Sequence, residues 1–165
     1  MFTGSKLFEK AEATRANFFA FGGGAQVLHL ATHGEWNLDD SLKNYLALAG
    51  SEKVAQEEIF QLLLEDTSMV VLSACNTAVG EGDQSGYVAS LAEAFWLAGS
   101  RSVLASLWSV NDESTSLLME TFYTRLRAGD DKAEALRTAQ LAVRAKEGFE
   151  HPYYWSGFVL FGERR

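Results

Sequence analysis

The chain has 165 residues, 47% of them hydrophobic and 22% charged, and a formal net charge of −8 at neutral pH. That length is expected to form a single domain over residues 1–165 with a substantial core. The acidity argues against a nucleic acid as direct partner, and no apolar run nears the roughly 20 residues of a membrane span, so no membrane partner is expected. No secretory signal is visible at the N-terminus. The single cysteine, Cys75, rules out an intramolecular disulfide and fits a reducing compartment, the cytoplasm.

Residues 1–8 read as an edge strand and 12–21 as a helix, broken by Gly22, Gly23 and Gly24. The β-forming run 27–32 ends directly before His33-Gly34. Residues 44–49 read as a short strand ending at Gly50. Residues 54–64 read as an amphipathic helix, with Val54, Ile59, Leu62 and Leu63 apolar. A second buried strand, 69–74, runs directly into Cys75, and a loop over 76–86 leads to an apolar helix, 87–98, closed by Gly99. Residues 102–107 form a third buried strand. Helices over 112–128 and 132–146 are split by Gly129-Asp130-Asp131, and Asp131 with Glu134 reads as a variant capping box. Residues 156–161 are the last strand. Three near-continuous apolar strands separated by helices indicate an α/β fold, a mostly parallel sheet with helices on both faces.

In open α/β sheets, sites form beyond the carboxyl ends of the strands. His33 and Cys75 each lie one residue past such an end. On neighbouring strands those ends stand roughly 5 Å apart. A free thiol is mostly protonated at neutral pH, and a nearby imidazole takes the proton or holds the thiolate as an ion pair. The backbone N–H groups of Gly34 and Cys75 are candidates for an oxyanion hole. The bland alternative is a cysteine that only packs at a strand end. Spacing alone leaves both open.

Five blocks carry a resemblance: His29-Leu30-Ala31-Thr32-His33-Gly34, then residues 71–78, 90–95, 98–115 and 151–155. In this order they resemble the CHAT family, caspase-like domains often associated with TPR repeats, within the caspase/separase/gingipain clan of cysteine peptidases. The resemblance implies a caspase-like fold, with His33 as base and Cys75 as nucleophile. It implies a peptide or protein substrate lying along the sheet edge above the catalytic ends, and no cofactor. Family domains carry another strand and helix ahead of the segment resembling residues 1–21. The first family strand and helix are therefore expected to be absent here, and a TPR region or regulatory partner would lie upstream.

Trp108 and Asp112 follow the third buried strand. Clan members that cut after basic residues use an acidic pocket residue, so an indole wall and a carboxylate would receive a Lys or Arg at the position before the scissile bond. Alternatively, Asn111 or Asp112 simply caps the following helix. Arg101 stands at the wrong end of its strand to read an acidic substrate residue. Glu35, Trp36, Asn37, Asp39 and Asp40 form an acidic, aromatic loop that borders the cleft or is merely solvated. The glycine-rich loop 80–86 carries two acids and lacks the lysine of a phosphate-binding loop. His29, four residues before His33, reads as a hydrogen-bonded core histidine rather than a metal ligand. Ser73 has no Gly-x-Ser-x-Gly elbow around it and reads as packing or support for Cys75. Tyr153, Tyr154 and Trp155 read as a core cluster. A non-catalytic caspase-like scaffold or signalling module remains the alternative function, and the presence of both dyad residues counts against it. A small-molecule hydrolase or transferase is weakened by the missing elbow and cofactor fingerprint.

Overall fold

The computed structural model describes residues 4–35, 44–73 and 91–165. Its main sheet contains β1 (Val27–Leu30), β5 (Met69–Leu72), β6 (Ser102–Ser106) and β7 (Phe158–Gly162), in the spatial order β1-β5-β6-β7. β1, β5 and β6 are parallel, and β7 runs antiparallel beside β6. Every residue of β5 and β6 is buried. This is why they read as continuous apolar runs: both faces are covered, so no polar alternation survives.

Alternation along the strands divides the core into two layers. Leu28, Leu30, Val70, Leu72, Val103 and Ala105 face α1 (Arg15–Gly22), α2 (Gln56–Ile59) and α3 (Leu91–Leu97). Val27, Met69, Val71, Leu104, Phe158 and Leu160 face α4 (Asp112–Arg127), α5 (Lys132–Arg144) and α6 (Pro152–Trp155). The chain is thus an α/β fold with a mostly parallel sheet and helices on both faces. No helix among the described residues is long and apolar enough to cross a membrane.

Helix starts follow local chemistry. Thr14 Oγ1, Asn111 Oδ1 and Asp131 Oδ1 accept hydrogen bonds from the N–H groups of Asn17, Ser114 and Glu134, relieving orphan donors in each first turn. Only one half of the expected capping box at α5 forms, because the Glu134 carboxylate pairs with Arg137 at 3.0 Å instead.

Two expected elements differ. Residues 4–8 form no strand, and Phe8 instead stacks on Phe21, with ring centroids 5.1 Å apart. The amphipathic helix expected over 54–64 shrinks to α2. Its first residues belong to β4 (Lys53–Ala55), which pairs with β3 (Tyr45–Ala47), and β3 pairs in turn with β2 (Gly34–Glu35). These three strands form a small antiparallel sheet of their own. Leu62 and Leu64 reach the core from irregular backbone, while Leu63 points outward.

α1 is fastened to this small sheet through Arg15. Its guanidinium grips the Glu58 carboxylate with both terminal nitrogens and donates to the Lys53 carbonyl, while its backbone N–H donates to Glu52. The guanidinium, together with the Ala55 N–H, pulls the Glu58 pKa below its ordinary value.

At the other end, β7 closes with Gly162 at φ +87°. A Cβ there would lie 2.3 Å from the Arg101 carbonyl oxygen. Beyond it the chain is held against α5: Glu163 N–H donates to Arg101 O, Lys132 N–H donates to Arg164 O, and Arg164 pairs with Asp131 at 2.9 Å.

Candidate functional site

β1 leaves the main sheet after Leu30 and enters the small sheet within four residues. The turn is fixed from β3: the Thr32 hydroxyl donates to the Ala47 carbonyl, and the Ala47 N–H donates to the His33 carbonyl at 2.8 Å. His33 therefore stands at the junction of the two sheets, beyond the carboxyl end of β1. Its backbone is pinned, and its side chain lies on an exposed residue.

Gly34 lies opposite Leu46. His33 and Ala47, the preceding rung, are joined by a ladder hydrogen bond. Antiparallel ladders alternate hydrogen-bonded and non-hydrogen-bonded pairs. The Gly34 N–H therefore faces away from β3 and is not consumed by the ladder. On the β3 side, then, the ladder leaves this N–H without a rung to donate to.

β5 reaches the same edge of the main sheet. The Ser73 N–H donates to Leu30 O at 3.0 Å, so the two strands stay paired up to Ser73. Cys75 lies outside the described residues, together with its backbone N–H, the loop 76–86, Trp36, Asn37, Asp39 and Asp40.

Trp108 follows β6 at this edge. Its indole Nε1 donates to the Tyr153 carbonyl at 3.1 Å, and its ring lies nearly parallel to that of Tyr153 at 6.4 Å. The Tyr153 hydroxyl donates to Ser109 O at 2.7 Å. Gly157 lies beneath the indole, where a Cβ would come within 3.2 Å of the ring. The Trp108 indole is thus half-buried and held on two sides. Asn111, not Asp112, caps α4. Asp112 is the exposed first residue of that helix and takes no hydrogen bond or ion pair among the described residues. Of the aromatic cluster, Tyr154 and Trp155 pack half-buried against the core, whereas Tyr153 stays exposed and serves Trp108.

His29 is hydrogen-bonded, as expected, but to partners that local sequence does not reveal. Nε2 lies 3.2 Å from Ser73 Oγ, and Nδ1 lies 2.9 Å from the hydroxyl of Tyr123 on α4. Desolvation pushes its pKa down to about 4, although the residue keeps an exposed surface. Both ring partners are uncharged hydroxyls, so neither offsets the lost hydration with an opposite charge. Desolvation likewise pushes the Tyr123 pKa up. No group of three or more His, Cys, Asp or Glu side chains suited to a metal ion occurs among the described residues.

A stability prediction follows. The ordinary pKa of 6.5 applies to His29 in the unfolded chain, against about 4 in the fold. Between these values the unfolded chain binds more protons, so stability is full above pH 6.5 and falls as pH drops toward 4. Glu58 and Asp131 have lowered pKa values, so their contributions persist to lower pH. Urea midpoints at pH 7 and pH 5 should fall more in the wild type than in His29→Gln. Equal losses would count against this account.

A comparison with curated proteins finds no match. The CHAT domain family model, by contrast, matches residues 1–163 of this 165-residue chain. With its α/β sheet and exposed strand-end histidine, the chain belongs to the CHAT domain family, a caspase-like family related to cysteine peptidases.

Proposed function

We propose that this chain is a cysteine endopeptidase in which His33 and Cys75 form the catalytic dyad. The observation that carries the reading is a register. Partners on β1 and β5 are 42 residues apart throughout, from Val27 with Met69 to Leu30 with Leu72. His33 and Cys75 are separated by the same 42 positions, so in sequence each lies three residues past the last rung, Leu30 with Leu72, of two neighbouring parallel strands.

In this reading a peptide lies extended along the carboxyl edge of the main sheet. His33 takes the Cys75 thiol proton, and the sulfur attacks the scissile carbonyl carbon. The N–H groups of Gly34 and Cys75 hold the resulting oxyanion. His33 returns the proton to the leaving amine as the C–N bond breaks, leaving a thioester. Water then gives a proton to His33 and attacks the thioester. Collapse releases the carboxylic acid and restores the thiol. Each proton is carried by the dyad itself, with no cofactor.

Trp108 and Asp112 supply the primary pocket for a Lys or Arg side chain. The net charge of −8 steers basic peptides toward it. A hydrogen bond to a charged group is worth about 1.5–3 kcal/mol. Asp112→Asn should therefore lower kcat/KM for peptides with Lys or Arg before the scissile bond by roughly 10- to 100-fold, and leave a matched alanine peptide unchanged. Equal effects on both peptides would remove Asp112 from the pocket.

The direct test uses the full-length protein with any upstream TPR region or regulatory partner supplied. A peptidyl electrophile should label Cys75, and His33→Ala should abolish the labelling. A Cys75 that stays inert in the full-length protein would leave the fold serving as a scaffold or signalling module.

A further inference from the structure

His29 lies on the same face of β1 as Val27, toward α4. A neutral imidazole offers one donor nitrogen and one acceptor nitrogen. The Tyr123 hydroxyl, the His29 ring and the Ser73 hydroxyl therefore form one directed hydrogen-bonded chain, with links of 2.9 Å and 3.2 Å. Its members come from three elements: α4, β1 and the segment that continues β5. Tyr123 and His29 also pack ring against ring, with centroids 5.6 Å apart. Ser73 is bound to β1 twice, through its N–H to Leu30 O and through its hydroxyl to His29. These ties come two residues before Cys75 in the sequence.

An apolar pair would fill the same space without desolvating an imidazole and a phenol, since polar groups taken from water are compensated only when fully hydrogen-bonded. The neutral state that desolvation imposes on His29 is also the one that gives the ring one donor and one acceptor.

We propose that His29 is a positioning residue: held by Tyr123, it fixes the Ser73 hydroxyl and so sets the carboxyl end of β5 from which the nucleophile's segment departs. The proposal rests on the dyad reading and extends it to a residue that touches no substrate. A reacting group misplaced by 1 Å loses about 10²-fold in rate, so loosening this end should show in the chemical step.

The test is a mutant cycle on the full-length protein, with a peptidyl electrophile as probe. The rate of Cys75 capture at saturation, kinact, and the half-saturating concentration, KI, are measured for Ser73→Ala, Tyr123→Phe, His29→Gln and the Ser73/Tyr123 double variant. Thermal midpoints are recorded in parallel. The two conservative variants, Ser73→Ala and Tyr123→Phe, keep the measurement interpretable if changes at His29 impair folding.

Ser73→Ala and Tyr123→Phe should each lower kinact roughly 10- to 100-fold while KI stays unchanged. The double variant should be no slower than the slower single variant, because both act through one chain. Additive effects, or lowered thermal midpoints with unchanged kinact, would overturn the proposal. Wild-type capture that His33→Ala abolishes but these variants leave intact would overturn it while the dyad stands. Absence of wild-type capture would overturn the dyad and this proposal together.

Discussion

Cys75→Ala should show no detectable peptide hydrolysis, and His33→Ala should lower kcat by about 10²- to 10⁴-fold, the usual worth of a positioned acid–base group. The losses should come without unfolding, at least for His33. Its side chain is exposed, and what holds the segment is the Thr32 hydroxyl and the His33 carbonyl, both bonded to Ala47. None of these contacts involves the imidazole, so the thermal midpoint of His33→Ala should match the wild type, as for other surface substitutions. Groups that act as a unit are not additive. The double variant should be no slower than Cys75→Ala alone. The measurement is steady-state cleavage of a peptide library by wild type and the three variants. A His33→Ala protein that retains the wild-type rate would remove His33 from the chemistry.

The largest stability effect is expected at Gly162. It sits at φ +87°, and a Cβ would be 2.3 Å from the Arg101 carbonyl oxygen. Gly148 has the same φ of +87° but nothing within 4 Å of its Cβ position. The pair therefore separates backbone strain from collision. Gly148→Ala should cost about 1 kcal/mol, the strain of a left-handed residue. Gly162→Ala adds a clash with backbone that cannot swing aside, and should cost about 3 kcal/mol in all. For a chain of this size that is a fall in thermal midpoint of roughly 6–12 °C. The displaced atom is the Arg101 oxygen, which also accepts from Glu163 N–H, so the register of β7 on β6 is at stake. Calorimetry of both variants measures the difference. Equal midpoints would show that β7 shifts freely.

The main sheet is legible in the sequence because β5 and β6 are covered on both faces, and four or five consecutive apolar or small residues have few other uses. α4 and α5 are legible for a related reason: each begins at a side-chain cap, Asn111 or Asp131, and each is long enough for its periodicity to show. Of the small sheet only β3 is legible. β2 has two residues and β4 three, too few for alternation to register. Val54 stands eight residues before Leu62, and Ile59 three and four before Leu62 and Leu63, so the run fits a helical period and hides β4 in front of α2. Tertiary pairing with β3 decided the matter, as it often does for short segments.

At the site, strand-end placement of His33 is local information, and so is Gly34. The partners of His29 are not. Ser73 lies 44 residues away and Tyr123 lies 94 away, and no pattern within one window links them. The position of Trp108 just past β6 is local information, but its attachment to Tyr153 across 45 residues is not. Asn111 and Asp112 are equally good caps by residue type, and only the Ser114 N–H, which donates to Asn111 Oδ1, separates them.

The order in which the chain assembles follows from its pairings. α4 and α5 are neighbours in sequence, joined by residues 128–131, and closing so short a loop takes well under a microsecond. β5 must find β6 across 33 residues, β1 must find β5 across 42, and β7 must find β6 across 58 at Val103 with Phe161. Non-local pairing of this kind slows folding, because loop-closure entropy is lost before contacts compensate it. The helical hairpin is thus expected to form early, and the pairing of β1 with β5 that joins the His33 turn to the main sheet is expected later.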